Sequence, residues 1–299
     1  MRCAVCYSVM NRRDLLKAVP VFAATPLTAA PAAATSKARL RPAVCAYSFR
    51  EALGNRSMTY EDLVRFTAGV DADGIDMTVY WFPDVSDGFL LPLKRLAYRL
   101  SVEIYSIAIR TEMTQSTPEL RQKEIAEIRK WVDVAGKLGA GHIRVFGGKV
   151  PKEATEEQAA GWVVEVLKSV ADYAGSRGII LGLENHGGIT EKAATVVDIV
   201  KRVASPWVGI NLDTGNFNTN VYSQIAMCVP HAVNFQVKTE TTEDGERRPA
   251  DWDRVLSIAA ESGYRGYLAL EYEGREPAAM AMPLLMGRLN QLCRKYSMT

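Results

Sequence analysis

The chain contains 299 residues, of which 48% are hydrophobic and 23% are charged. Its 36 Lys and Arg residues nearly balance its 34 Asp and Glu residues, so the formal charge is only +2. This composition excludes a disordered or low-complexity chain, and it gives no electrostatic reason to expect a nucleic acid or an anionic membrane as partner.

The first 34 residues predict a twin-arginine export signal. Arg12 and Arg13 precede an Ala-rich apolar stretch that ends at Ala34, where we expect cleavage. A membrane anchor is the alternative, but the stretch is shorter than the ~20 residues that span a bilayer, and prolines interrupt it. We therefore expect a periplasmic or secreted protein without stable membrane association, whose folded domain occupies residues 35–299 and carries a charge of −1.

Eight short runs rich in β-branched and aromatic residues follow along this domain, separated by amphipathic segments with helical spacing. The predicted strands start near Val44, Asp73, Val102, His142, Ile179, Val208, Val233 and Tyr267. Helices are predicted over 119–138, 156–175 and 191–203. The start signals are Thr117-Pro118 and Thr190-Glu191, and the stop signals are Gly139, Gly175 and Gly178.

The regular spacing of these runs predicts the fold. From Val44 to Tyr267 there are 223 residues in seven intervals, or about 32 per strand–helix unit. Eight such units have the size of a single (β/α)8 TIM barrel of the α/β class. A doubly wound open sheet is the competing fold, but no Gly-x-Gly-x-x-Gly motif follows the first strand. No linker or change of composition divides the domain.

Polar side chains end the last four predicted strands. Glu184, Asp213, Gln236 and Glu271 are separated by 29, 23 and 35 residues, which is roughly one strand–helix unit each. The carboxyl ends of barrel strands meet at one face, so these side chains should converge. A divalent cation would relieve the repulsion among three carboxylates, and oxygen ligands suit Mn²⁺ or Mg²⁺. Solvated or salt-bridged strand ends are the alternative interpretation.

The motifs around these residues resemble a known superfamily. LENHGG, INLDTGN, NFQVK and LALEYEG, together with DGIDMT and HIRVFGG upstream, are similar to the xylose-isomerase-like barrels, the sugar phosphate isomerase/epimerase superfamily. The resemblance covers about residues 42–290. Members of this superfamily include ketose 3-epimerases, hydroxypyruvate isomerase, inosose dehydratase and endonuclease IV. The motifs identify the superfamily and separate its activities poorly.

The resemblance implies a metal held by Glu184, Asp213, Gln236 and Glu271, with Mn²⁺ first and Mg²⁺, Co²⁺ or Zn²⁺ as alternatives. Many relatives have His at the position of Gln236, and the alternative is that Gln236 only hydrogen-bonds substrate. The resemblance also makes Glu184 and Glu271 catalytic: one removes the proton next to a carbonyl, and the other returns a proton to the opposite face. A metal would stabilise the enediolate between these steps.

Five further residues are candidates for substrate binding, and four of them have a structural alternative. His186 and Lys238 lie two positions beyond Glu184 and Gln236, so they should face the same site, unless they only pack or form a surface salt bridge. Arg144 could hold a polar group of the substrate or form an ion pair inside the barrel. Asn216 should orient substrate or a metal-bound water. Trp81 belongs to an aromatic cluster that suits either a sugar ring or core packing.

Two other segments leave alternatives open. The long charged loop from Thr239 to Pro249 is predicted on the catalytic side, as a lid or a partner contact. Cys45, Cys228 and Cys293 match no metal motif, so they are expected to be buried thiols, although an oxidising periplasm would allow one disulfide. The sequence leaves a homo-oligomer open.

The leading hypothesis is therefore a divalent-metal-dependent isomerase or epimerase that acts on a small carbohydrate or keto-polyol. The alternative is a lyase or dehydratase that acts on a keto-sugar, keto-glycoside or inosose after the same proton abstraction. A nuclease related to endonuclease IV is disfavoured, because the chain has only three His residues and no basic groove is expected. A non-catalytic carbohydrate-binding protein is disfavoured by the three carboxylates.

Overall fold

Eight parallel strands close into a barrel, which confirms the predicted (β/α)8 fold. The computed structural model describes residues 37–297, so the predicted signal at residues 1–34 lies outside the described residues. The barrel strands are Arg39–Cys45 (β1), Gly74–Thr78 (β2), Glu103–Ala108 (β3), His142–Phe146 (β4), Ile180–Glu184 (β5), Val208–Asp213 (β6), Ala232–Lys238 (β7) and Arg265–Glu271 (β10). The last strand, β10, pairs with both β7 and β1 and thereby closes the barrel.

Amphipathic helices connect the strands and cover the barrel with their apolar faces. The helices are Arg50–Gly54 (α1), Tyr60–Gly69 (α2), Asp87–Arg99 (α3), Pro118–Leu138 (α4), Glu156–Gly175 (α5), Ala193–Val203 (α6), Val221–Cys228 (α7), Trp252–Glu261 (α8) and Ala278–Ser297 (α9). Short 3-10 turns occupy Ala46–Phe49, Val79–Trp81 and Val229–His231. One continuous hydrophobic core lies between the helices and the strands.

Local sequence signals account for the helix ends that were predicted correctly. The Thr117 side chain accepts a hydrogen bond from the Leu120 N–H, and Pro118 occupies the first turn of α4. Gly139 ends that helix with φ of +85°, a conformation that favours glycine. A reciprocal capping box between Thr155 and Gln158 opens α5.

Two predicted element starts were wrong. β1 begins at Arg39 rather than Val44, because its pairing with β10 extends back to Arg39, and the chain after Cys45 turns into a 3-10 helix. Helix α6 begins at Ala193 and not at the predicted Thr190-Glu191 signal. The Thr190 hydroxyl instead accepts the backbone N–H of His186 and donates to a carbonyl in the turn after β5.

The amino-terminal end of the barrel is filled by aromatic rings. Tyr105 and Tyr267 stack with centroids 3.7 Å apart and planes inclined by 10°. Gly74 makes room for them, since a Cβ there would lie 2.7 Å from the Tyr267 ring and 2.9 Å from the Tyr105 ring. Because this end is closed, the polar interior is accessible from the opposite end, where the strands terminate.

The segment predicted as the loop from Thr239 to Pro249 is an antiparallel hairpin. Its strands are Glu240–Glu243 (β8) and Glu246–Pro249 (β9), joined at Asp244 and Gly245, both of which have positive φ. The hairpin follows β7 directly and therefore stands at the carboxyl end of the barrel.

The described cysteines are all free thiols, as the first of the two alternatives predicted. Cys45, Cys228 and Cys293 are buried, and none of them forms a disulfide within residues 37–297. In the same part of the chain, no helix combines the length and the apolar character needed to cross a membrane.

Candidate active site

The carboxyl ends of neighbouring barrel strands bring most of the predicted site residues together. Glu184, Asp213 and Glu271 are the last residues of β5, β6 and β10, and all three are buried. The strand register sets their heights: Asp213 pairs with Gln236, whereas Glu271 pairs with Lys238. Lys238 is therefore level with the last carboxylate, and Gln236 lies one side-chain layer deeper in the barrel.

Glu184 forms an ion pair inside the barrel. Arg144 Nε lies 2.9 Å from Glu184 Oε2, and both side chains are almost inaccessible to solvent. Arg144 also donates from Nη1 to the Tyr80 hydroxyl at 3.0 Å and to the Ile109 carbonyl at 2.9 Å. Asn216 donates to the other Glu184 oxygen at 3.2 Å. These contacts hold the Glu184 carboxylate in one orientation at the cavity.

Lys238 lies among three other carboxylates. Its Nζ is 3.3 Å from Asp213 Oδ2 and 2.5 Å from Glu271 Oε1, and it also contacts Glu273. The second oxygen of Glu271 accepts a hydrogen bond from the Cys45 thiol at 3.2 Å. Lys238 is thus the shared cationic partner of these three carboxylates.

Gln236 belongs to a buried amide network below the carboxylates. Its Oε1 accepts a hydrogen bond from Asn211 Nδ2 at 2.6 Å. Asn211 accepts in turn from Asn234 at 2.8 Å, and Asn234 accepts from the Tyr105 hydroxyl at 3.0 Å. The Gln236 Nε2 lies 3.7 Å from Cys45 Sγ. The amide oxygen that was expected to face a metal is therefore bonded within the barrel wall.

Burial and neighbouring charges shift the pKa values of the site in different directions. Burial raises the pKa of Asp213 to about 7, against the opposing effect of Lys238. Burial also raises the pKa of Glu184, although Arg144 opposes this. Burial alone would raise the pKa of Glu271, but Lys238 brings it below its ordinary value. The pKa of Lys238 is raised despite burial, because the Asp213 and Glu271 charges favour its ammonium form.

A cavity of about 280 Å³ opens above these groups. The residues that line it are Tyr47, Tyr80, Arg110, Arg144, Phe146, Glu184, His186, Asn216, Gln236, Lys238, Glu271 and Glu273. A second cavity of about 490 Å³ shares Arg110, Phe146 and His186 with the first. The two cavities therefore adjoin along these three side chains.

Of the substrate-binding candidates, His186, Lys238, Arg144 and Asn216 line the first cavity, whereas Trp81 does not belong to the described lining. Trp81 stacks on Tyr47, with ring centroids 6.1 Å apart. The aromatic side chains that line the cavity are instead those of Tyr47, Tyr80 and Phe146.

Several residues of the site were missed by the sequence analysis. Arg110 lies two residues after the end of β3, and its guanidinium lies 4.0 Å from the centre of the Tyr80 ring. Cys45 ends β1 and contacts Glu271. Glu273 stands two residues after Glu271 and contacts Lys238. A position at or just past a strand end was the available signal, and it had been applied to Glu271 but not to Cys45, Arg110 or Glu273.

The predicted metal ligands do not fit a divalent ion in the arrangement described. Their oxygen chemistry suits a hard cation. However, Lys238 Nζ lies between Asp213 and Glu271, Arg144 is paired with Glu184, and the Gln236 oxygen is bonded to Asn211. Within residues 37–297, no three His, Cys, Asp or Glu side chains are grouped so that they could hold a metal ion.

The site lies at the carboxyl ends of the strands of an α/β barrel, which is the end where active sites form in TIM-barrel enzymes. The family described as xylose isomerase-like TIM barrel matches residues 64–290. The chain belongs to this family. No curated protein matches it by sequence.

Solved structures with the same fold include sugar epimerases and a zinc-binding protein. The IOLI protein, solved with a bound zinc atom, has a TM-score of 0.71 and 16% identity, over 86% of this chain and 98% of that chain. A D-psicose 3-epimerase solved with D-fructose has a TM-score of 0.67 and 16% identity, over 86% and 96%. A probable 3-DHS dehydratase, AsbF from Bacillus anthracis, has a TM-score of 0.66 and 15% identity, over 84% and 98%. At these identities the similarity establishes the fold alone.

Proposed function

We propose that the protein is an enzyme that moves a proton at the carbon next to a carbonyl group of a small carbohydrate or keto-polyol, as an isomerase or epimerase. The observation that carries this proposal is the placement of Glu184 and Glu271, two buried carboxylates from different strands that line one cavity. The epimerases among the structures of the same fold support the substrate class.

The surrounding residues supply the other parts of such a reaction. Lys238 and Arg144 are cationic donors at the cavity wall, and they would hold the carbonyl oxygen and stabilise the negative charge that develops on it. One glutamate would take the proton from the carbon, and the other would return a proton to the opposite face. His186 and Asn216 would orient the hydroxyl groups of the substrate.

The divalent metal remains a prediction of the family resemblance, with Mn²⁺ first. The zinc atom of the IOLI structure supports a metal in this fold. The ligands named for it are Glu184, Asp213, Gln236 and Glu271, whose described placement instead offers the ammonium group of Lys238 as the positive charge. Measurement of the bound metal distinguishes a resident ion from the Lys238 ammonium group as the positive charge of the site.

Solvent deuterium exchange tests the roles of the two glutamates. The protein is incubated in deuterated water with D-fructose, D-tagatose and D-psicose, and deuterium at the carbon next to the carbonyl is measured by NMR. Glu271→Gln and Glu184→Gln should each lower the exchange rate by ~10² or more, because the amide keeps an oxygen but is not a base.

Glu103→Gln is the matched control for this experiment, because Glu103 is paired with Arg41 at the other end of the barrel. It should leave exchange unchanged. Full exchange by both Glu184→Gln and Glu271→Gln would show that the base is another residue.

A lyase or dehydratase is the second candidate, favoured by the adjoining cavity. That cavity of about 490 Å³ could hold a leaving group attached to a sugar bound beside Glu184. Incubation with 3-keto-glycosides would then release the aglycone, whereas an epimerase would only exchange or invert the sugar carbon. NMR of the products distinguishes the two reactions.

We also propose that residues 1–34 direct export through the twin-arginine route to the periplasm. The pair Arg12 and Arg13 before an apolar stretch supports this. Changing both to Lys should retain the protein in the cytoplasm, as measured by immunoblotting of cell fractions. Undiminished periplasmic protein in the double variant would refute the assignment.

A further inference from the structure

A metal ion was expected because several carboxylates meet in the barrel mouth, yet each of them already has a cationic partner. Arg144 lies 2.9 Å from Glu184. Lys238 Nζ lies 3.3 Å from Asp213 and 2.5 Å from Glu271. Two side chains of this chain therefore reduce the repulsion that an ion would otherwise relieve.

The position of Lys238 is built into the fold. Gly215 makes room for its stem, since a Cβ at Gly215 would lie 2.5 Å from the Lys238 Cγ and 2.8 Å from its Cβ. The backbone is fixed on both sides: Lys238 N–H donates to the Thr214 hydroxyl at 3.0 Å, and its carbonyl accepts from Trp252 Nε1 at 2.7 Å. The buried stem therefore has little freedom to leave the carboxylates.

Gln236 weakens the alternative of a metal at the same place. Its carboxamide is neutral, and its oxygen already accepts a hydrogen bond from Asn211 at 2.6 Å. Coordination would break this bond and leave the Asn211 amide without that acceptor in a buried network. An ion at this place would thus replace contacts that are already made.

Cationic side chains offset most of the carboxylate charge at the cavity without an ion. The cationic side chains of the cavity wall are those of Arg110, Arg144 and Lys238, and its carboxylates are Glu184, Glu271 and Glu273. With Asp213, which contacts Lys238 behind this wall, three positive groups face four carboxylates, so the side chains of this chain offset all but one of the negative charges.

We propose that Lys238 takes the place of the divalent metal, and that this family member holds its substrate's carbonyl oxygen with an ammonium group and no resident metal. The inference rests on the proposed function. A glutamate takes the proton from the carbon next to the carbonyl, and the C–H electron pair moves to the carbonyl oxygen to give an enolate. Lys238 donates a hydrogen bond to that oxygen and stays protonated, and return of a proton to carbon restores the carbonyl.

Metal binding by the unmodified protein tests this directly. The protein is incubated with excess Mn²⁺, desalted and analysed for all transition metals by mass spectrometry. We expect less than about 0.1 equivalent of any metal, and no change of Tm on addition of Mn²⁺ or EDTA, because a specific ion at a hundredfold excess over its Kd would shift Tm by roughly 5 °C or more. A stoichiometric metal that survives desalting would overturn the proposal.

Lys238→Met removes the ammonium group and keeps the length of the stem. The released carboxylates, Asp213 and Glu271, should then bind Mn²⁺ at close to one equivalent, and Mn²⁺ should raise the Tm of this variant by several degrees. Lys137→Met is the control, because Lys137 forms an ion pair of 2.7 Å with Asp87 on the surface. It should bind no Mn²⁺.

A Lys238→Met protein that is as stable and as free of metal as the unmodified protein would also overturn the proposal, because the carboxylates would then have no need of the ammonium group. If that variant does not fold, the metal content of the unmodified protein still decides whether the protein holds a resident metal. Failure of every ketose to exchange deuterium would contradict the proposed function, whereas the metal content is measured without substrate and stands on its own.

Discussion

Replacing Arg144 with Met should lower the free energy of unfolding by about 3–5 kcal/mol, the range found when one partner of a buried ion pair is removed. The pair with Glu184 is almost fully enclosed: the Arg144 side chain is 4% exposed and the Glu184 side chain 3%. Met keeps most of the volume of Arg144, so the loss arises from the carboxylate left behind and from the hydrogen bonds to Tyr80 and Ile109.

The loss of stability caused by Arg144→Met should depend on pH. Without Arg144, the folded-state pKa of Glu184 rises further above its unfolded value. A carboxyl whose folded pKa is raised is most favourable below the unfolded pKa, and its contribution to stability is lost as the pH rises through the folded pKa. Arg144→Met should therefore be less destabilising at about pH 5 than at about pH 8.

Urea denaturation followed by tryptophan fluorescence measures these differences. The double variant Arg144→Met/Glu184→Gln should recover at least about 2 kcal/mol, because no unpaired charge remains. The control is Arg177→Met, which removes an exposed pair with Asp133 and should cost about 0–1 kcal/mol. A loss below about 1 kcal/mol for Arg144→Met, or no recovery in the double variant, would refute the reasoning.

Three further changes test other parts of the structure by the same measurement. Burial raises the pKa of Asp76 to about 6, so the contribution of Asp76 to folding stability is lost as the pH rises through that value. Asp76→Asn should therefore remove on the order of 2–3 kcal/mol of the decline in stability between about pH 4 and pH 8. An unchanged dependence of stability on pH in this variant would contradict the prediction. Thr155→Ala removes the capping box with Gln158 and should cost about 1 kcal/mol, whereas Thr155→Ser should cost little. Gly215→Ala should cost roughly 1–3 kcal/mol through its contact with Lys238, and a neutral effect would show that the lysine stem can move.

The barrel itself could be predicted from the sequence, because strand and helix patterns depend on short-range properties. The eight apolar runs recur at a regular interval, and signals such as Thr117-Pro118 and Gly139 act within a few residues of themselves. The same spacing placed Glu184, Asp213 and Glu271 at strand ends. Thr190-Glu191 was misread because the same residue types that cap helices also stabilise turns, and only the turn after β5 shows which role applies.

Only the tertiary structure decided how the charges of the site are paired. Arg144 and Glu184 are 40 residues apart, and Lys238 and Glu271 are 33 apart, so their contacts depend on strand register and barrel closure. The register places Lys238 level with Glu271 and leaves Gln236 one layer deeper. The sequence therefore determined which polar groups reach the barrel mouth, whereas the closed barrel determined which of them touch, because a side chain's partners are set by three-dimensional distances that spacing along the chain does not contain.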